Sequence, residues 1–477
     1  MTAAVVPLPP SEGVPFYTEK GNAKPRAVKG RYRNFKWWLM AVLLAWWHLA
    51  PFMRWDRGPG VPDQAILIDM AGRRAYFFFI EIWPQEVYYL TGLLLIAAMV
   101  LFMMSAMAGR IWCGFLCWQT AYTDLFVWVE RKIIGERNER IAFAKEPLSV
   151  GKLAKLAAVN LCWLAIGGAC GIGFVLWFGD AFQVIKDIFT GEAATGTYLF
   201  IGIIGGFCFL LAGYARERVC VYMCPYARFQ SAMFDEHSLI VSYEAWRGEP
   251  RGHVKGTPDF TGRGHCVDCG MCHQSCPTGI DIRRGTQLAC IGCGLCVDAC
   301  NTVMDKFGLP RNLISYDSTY NMMARSQGLE PKLRIIRPRT IVYMVVVSVA
   351  SIAMLASLLL RSDIRVDVLH ARAPLAVAVG SSKVRNGYDY KILNKALAER
   401  QVTLEVEGDP DSVITVVGGE TGHQVKLTAA LDNVATYHIY VTAAKGSETG
   451  NRPLTFLLTE PSSGKTVRST TFFAQPE

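Results

Sequence analysis

Two cysteine runs of identical spacing lie close together in the chain, Cys266-x-x-Cys269-x-x-Cys272-x-x-x-Cys276 and Cys290-x-x-Cys293-x-x-Cys296-x-x-x-Cys300. No other feature restricts the fold as much, because three thiols at three-residue steps can wrap one face of a compact metal centre only if the backbone turns tightly around it. Gly270, Gly292 and Gly294 stand where such turns need a residue without a side chain. A zinc ribbon uses paired cysteines rather than repeated runs of four, and disulfide scaffolds belong to small secreted chains. The spacing is that of a bacterial two-cluster ferredoxin, with Pro277 closing the first run and Asn301 in its place after the second. In that pattern the fourth cysteine of each run reaches the other cluster. One 4Fe–4S cluster is then expected on Cys266, Cys269, Cys272 and Cys300, and a second on Cys290, Cys293, Cys296 and Cys276.

The 477 residues as a whole are 51% hydrophobic and only 19% charged, and the apolar residues lie in long runs. Five segments, roughly 37–53, 87–107, 156–178, 198–214 and 340–360, have the length and character of membrane spans. Basic residues precede the first span and fill the loop between the second and third, whereas Asp180, Asp187 and Glu192 follow the third. The positive-inside rule therefore places the N-terminus and that loop in the cytoplasm. Arg54, Arg57, Arg73 and Arg74, expected outside, fit this topology least well.

The expected organisation is a flexible cytoplasmic leader over 1–36 and a four-span membrane domain over 37–214 with a cytoplasmic loop at 108–155. An α+β ferredoxin domain follows in the cytoplasm over 215–339, then a fifth span at 340–360 and a periplasmic domain over 361–477. Short Val- and Thr-rich stretches at 402–406, 412–417, 425–428, 436–441, 454–458 and 467–473 make that last domain an all-β, immunoglobulin-like sandwich. The chain is thus expected to be a multi-pass protein of the bacterial inner membrane. Its net charge of +9 is accounted for by topology, and no helix-turn-helix or basic stripe points to nucleic acid.

Two further pairs, Cys113-x-x-x-Cys117 and Cys220-x-x-x-Cys224, each follow an arginine at the cytoplasmic end of a span. In a helix this spacing puts both sulfurs on one face, so two such ends side by side would present four thiols to a metal ion or redox centre. Spacing leaves copper, a further cluster or no permanent ligand open. Cysteine is also a small apolar residue tolerated in membrane helices, which is the reading given to Cys162, Cys170 and Cys208.

Several strings carry a family likeness: Arg54-Trp-Asp-Arg-Gly-Pro-Gly60, Tyr76–Tyr89 (YFFFIEIWPQEVYY), Trp118-Gln-Thr with Glu130-Arg-Lys, the ferredoxin runs, and Tyr388–Lys395 (YDYKILNK). The chain resembles the cytochrome c oxidase accessory proteins of the FixG/RdxA/CcoG type over nearly its whole length. One departure is Trp118, where the pattern has proline, as at Pro225. The resemblance implies a cupric reductase that turns Cu(II) into Cu(I) for assembly of cbb-type cytochrome oxidase, with copper as substrate and Cys113, Cys117, Cys220 and Cys224 as the candidate redox or copper site. A cytoplasmic electron donor is expected, and oxidase subunits or a copper chaperone as partners. The alternatives are a quinol-linked subunit of a respiratory chain and a non-enzymatic assembly scaffold.

Overall fold

A computed structural model describes residues 22–475 apart from 59, 255–259, 333, 381, 397, 446–449 and 463. The chain forms two compact units, Met1–Met354 and Leu355–Glu477. The first 21 residues of the expected leader lie outside the described residues. From Asn22 onward the chain departs from a flexible leader. It runs without regular secondary structure to Gly30, with the Arg26 N–H donating to Gln274 O (2.8 Å) and Lys24 Nζ to Arg140 O (2.8 Å).

The first helix, Arg31–Leu49, starts six residues before the expected span. Its own N-cap is Gly30, which offers no side-chain acceptor. The Asp298 carboxylate fills that role, accepting the N–H groups of Arg33 (2.8 Å) and Tyr32 (3.3 Å). Arg33 and Lys36 are buried, and both pair with Asp124, at 2.6 and 3.4 Å. Among the described residues four helices are long and apolar enough to cross a membrane, and this one, with these charges in its first two turns, is not one of them. The four are Pro84–Ala108, Val150–Val175, Thr195–Ala215 and Pro338–Leu359, close to the other four expected spans.

The expected cytoplasmic loop at 108–155 is also corrected. Trp118–Ile134 is a helix whose Tyr122, Phe126 and Val129 pack against Val159, Trp163, Cys170 and Cys208 of the neighbouring spans. The spacing 122, 126, 129 is a helical stripe, obscured in the sequence by Arg131 and Lys132 at the helix end. Val150–Val175 and Thr195–Cys208 approach so closely that a Cβ on Gly167 would stand 2.7 Å from Gly205 O. Small residues permit such crossings in membrane bundles. Gly167→Leu should therefore cost about 1–3 kcal/mol through overpacking, read as a lower unfolding temperature of the purified protein.

The segment at 54–86 contains a three-stranded antiparallel sheet, Ile66–Asp69, Arg74–Phe77 and Ile80–Ile82. Its arginines are held locally. Arg57 donates to the carbonyls of Phe78, Pro62, Gln64 and Ala65, Arg74 pairs with Glu81 at 3.0 Å, and Arg54 pairs with Asp63 and Asp180. Charges satisfied in this way fix a fold and carry little topological information.

In the ferredoxin region, strand Ile240–Tyr243 pairs antiparallel with Ile314–Asp317. This ladder and helix Leu295–Lys306 enclose an apolar core around the cysteine runs. The second unit is a sandwich of two antiparallel sheets. One has the strand order 421–422, 413–416, 433–444, 383–394, 364–370, with 377–379 also on 383–394; the other has 424–429, 400–407, 452–459, 466–473. All six expected strand segments lie in these sheets, and inward residues such as Tyr390, Leu404, Ile414 and Phe456 are fully buried between them.

Candidate redox site

The two cysteine runs repeat in backbone as well as spacing. Gly270 and Gly294 both adopt the left-handed conformation (φ 66° and 71°) and both precede a helix that begins one residue later. Asp268 (φ 51°) takes the conformation that Gly292 (φ 63°) takes in the second run. Asp268 is ion-paired with Arg283, which also holds Asp281 at 2.7 Å. Each turn carries its cysteines around a small apolar cavity. One cavity is lined by Cys266, Cys269, Cys272 and Cys300. The other is lined by Cys276, Cys290, Cys293 and Cys296, with Cys272 on the wall between them.

All fifteen cysteines are free thiols. Among the described residues no three His, Cys, Asp or Glu side chains stand close enough to hold a single ion, so the thiols surround a volume rather than a point. Burial pushes Cys272, Cys290 and Cys300 up to about 12 and Cys293 to about 11. Such thiols become ligands when the positive charge of iron replaces their protons. Four sulfur donors around an apolar volume fit a 4Fe–4S cluster.

Both membrane-proximal pairs sit on π turns rather than on the α-helical ends expected, Trp112–Leu116 and Val219–Met223. The cause is visible at the chain reversal before each. Gly109 (φ 58°, ψ −126°) and Arg216 (φ 46°, ψ −121°) break the preceding helices in the same way. Each turn then closes with an i→i−5 bond, Cys117 N–H to Trp112 O at 2.9 Å and Cys224 N–H to Val219 O at 2.8 Å. Cys117 and Cys224 both lie at the N-cap of the next helix, with Trp118 and Pro225 at its first position. The absent proline therefore leaves the two backbones equivalent.

The turns bring the pairs together. Cys113 and Cys220 share one apolar cluster with Ile291, Cys293 and Leu295 of the second ferredoxin run. Cys220 feels the charge of Cys117, Cys113 and Cys224, and burial pushes it up to about 12. Cys113 is also raised, chiefly by burial, with Arg110 opposing. Its thiol donates to Gln230 Oε1 (3.2 Å), and Arg110 Nη2 lies 3.9 Å from its sulfur. Arg110 Nε donates to the same Gln230 oxygen (3.0 Å), while Nη1 donates to Leu288 O on the ferredoxin side. Gln230 Nε2 donates to Ser105 Oγ at 3.3 Å, and that hydroxyl lies 2.8 Å from the Tyr226 hydroxyl. Sequence reasoning missed Gln230, which belongs to no spacing pattern. Gly114 is packed directly on the cluster loop, where an added Cβ would lie 2.7 Å from Gly292 O and 2.9 Å from Cys293 Cα.

Apolar spanning helices, thiol-lined cradles and adjoining membrane-face thiols define a membrane iron–sulfur protein of the electron-transfer class. Residues 215–319 match the family described as "4Fe-4S dicluster domain", 90–135 the "4Fe-4S binding domain", and 354–476 the "IG-like fold at C-terminal of FixG". Protein RdxB of Cereibacter sphaeroides is 39% identical, the match covering 98% of each chain. Nitrogen fixation protein FixG of Rhizobium meliloti is 40% identical over 91% of this chain and 88% of its own. Protein RdxA of Cereibacter sphaeroides is 39% identical over 93% and 94%. The chain belongs to the FixG/RdxA/RdxB family.

Proposed function

We propose that this protein reduces Cu(II) to Cu(I) at the membrane face, for assembly of a cbb-type cytochrome oxidase. The observation that carries the reading is the packing of Cys113 and Cys220 against Ile291, Cys293 and Leu295, two soft donors beside the cluster-two loop. Bound 4Fe–4S clusters supply one-electron transfer. The cavity linings support cluster one on Cys266, Cys269, Cys272 and Cys300, and cluster two on Cys290, Cys293, Cys296 and Cys276. Cys113, Cys117, Cys220 and Cys224 receive the copper. Each Cu(II) takes one electron, and thiolate ligation favours the Cu(I) product and so draws the reduction forward. Arg110 and Gln230 hold the Cys113 sulfur in place. The ferredoxin domain lies in the cytoplasm on this reading, as the basic flanks of the spans favour, and the sandwich in the periplasm serves oxidase subunits or a copper chaperone.

Anaerobically purified protein, reduced and mixed with Cu(II) and a Cu(I)-specific chelator, should yield Cu(I). Cys113→Ser and Cys220→Ser should retain both cluster EPR signals and lose at least roughly tenfold in rate, since even outer-shell changes at metal sites cost that much. Full rates in both variants would sink the proposed copper site.

A further inference from the structure

Cys170 and Cys208 stand on different spans, Val150–Val175 and Thr195–Cys208, and the bundle brings them together. Both are buried in the apolar cluster that also holds Tyr122, Phe126 and Trp163, and their thiols lie within hydrogen-bonding reach of each other. Two donors from the helix Trp118–Ile134 are turned to the same sulfur, the Trp118 indole and the Tyr122 hydroxyl. Tyr122 is only 2% exposed, yet its hydroxyl completes no hydrogen bond. Buried hydroxyls are ordinarily satisfied, so this one is aimed at an acceptor stronger than a neutral thiol. His48 also acts on Cys170. Both its ring nitrogens face backbone carbonyls, Leu44 O at 2.8 Å and Ala169 O at 3.2 Å, so the ring is not available as a ligand. The donor set is therefore two sulfurs with N–H and O–H groups behind them. Closed zinc sites and 4Fe–4S clusters take four protein donors, and calcium or magnesium takes oxygens. Soft sulfur ligands select Cu(I), which two sulfurs in line can satisfy.

We propose that Cys170 and Cys208 form a two-sulfur Cu(I) site inside the membrane bundle, and that it receives the ion from Cys113, Cys117, Cys220 and Cys224. The hand-over rests on the copper reading; the site itself does not. Trp118 follows Cys117 directly and contacts Cys170, so one residue joins the two sets of sulfurs. The ion passes by ligand exchange with no change of oxidation state. The two thiol protons of Cys170 and Cys208 move the other way, onto the two sulfurs the ion leaves, so protons and charge balance. The two-thiolate complex carries one net negative charge, and the Tyr122 O–H and Trp118 N–H stabilise it by donating to its sulfurs.

Full-length protein in detergent, carrying its clusters and with Cys113, Cys117, Cys220 and Cys224 all replaced by Ser, is titrated anaerobically with Cu(I) buffered by bicinchoninate. It should take up one Cu(I) per chain, and X-ray absorption at the copper edge should show two sulfur neighbours and no nitrogen or oxygen. Adding Cys170→Ala or Cys208→Ala should abolish the uptake. Cys162→Ala, at an exposed thiol of the same span as Cys170, should leave it intact. Tyr122→Phe keeps the ring and its packing and should weaken Cu(I) affinity roughly tenfold to a hundredfold, the usual loss for an outer-shell partner. A Tyr122 that only packs would leave the affinity unmoved. Thermal unfolding and cluster absorbance of each variant separate loss of the site from loss of the fold. In the otherwise unsubstituted chain, Cys170→Ala should reduce Cu(II) at the normal rate and retain one Cu(I) fewer after desalting. No uptake by the four-Ser protein, or uptake that survives Cys170→Ala and Cys208→Ala, would overturn the site. Equal retention with and without Cys170 would overturn the hand-over. If Cu(II) reduction itself fails, the copper reading falls while uptake by the four-Ser protein still decides the site.

Discussion

Gly114→Val is expected to slow electron delivery to the membrane thiols by roughly a hundredfold, the scale on which a displacement of about 1 Å is felt at a reacting centre. The side chain has nowhere to go. A Cβ alone would meet Gly292 O at 2.7 Å and Cys293 Cα at 2.9 Å, and both are backbone atoms of the cluster-two loop. Gly292 cannot retreat, since its own Cβ direction faces Arg110 C and O at 3.2 Å and its carbonyl accepts the Tyr316 hydroxyl. The two loops must therefore separate. All twelve cysteines of the clusters and the membrane-face pairs remain, so EPR should report intact clusters while cluster reoxidation by Cu(II) becomes slow. Wild-type reoxidation in this variant would show that electrons leave by another route.

The largest stability loss should come from Asp124→Ala. Asp124 neutralises Arg33 (Nη1 at 2.6 Å) and Lys36 (Nζ at 3.4 Å), whose residues are only 6% and 3% exposed. Removing the carboxylate strands two buried cations, and breaking a buried ion pair in this way costs roughly 3–5 kcal/mol. The charged-to-neutral isostere Asp124→Asn should recover little of it, whereas Asp124→Glu should recover more. Thermal unfolding of the purified protein reads the order directly.

What the sequence made legible was local. The cluster turns repeat within one short stretch, and positions that need the left-handed conformation mostly carry glycine. Six strands of the sandwich alternate at period two. Strands 383–394 and 364–370 escaped because Lys383–Asn394 carries charged and polar residues at outward positions along an unusually long ladder. The Trp118–Ile134 helix was hidden by its basic end, and the sheet within 54–86 by arginines that serve carbonyls. The convergence of Cys113 with Cys220 joins turns 107 residues apart along the chain, as does the Gln230 bond at 117. No spacing rule reaches so far. Only the repeated Cys-x-x-x-Cys context hinted that the two turns belong together.

The Asp298 cap gives biogenesis an order. Asp298 lies 266 residues beyond Tyr32, on the helix between Cys296 and Cys300. The helix Arg31–Leu49 therefore gains its N-terminal partner only after the ferredoxin segment has been made and has closed around its metal, because ligand binding and folding are one process in such sites. In an iron-starved cell the helix Arg31–Leu49 would lack this cap.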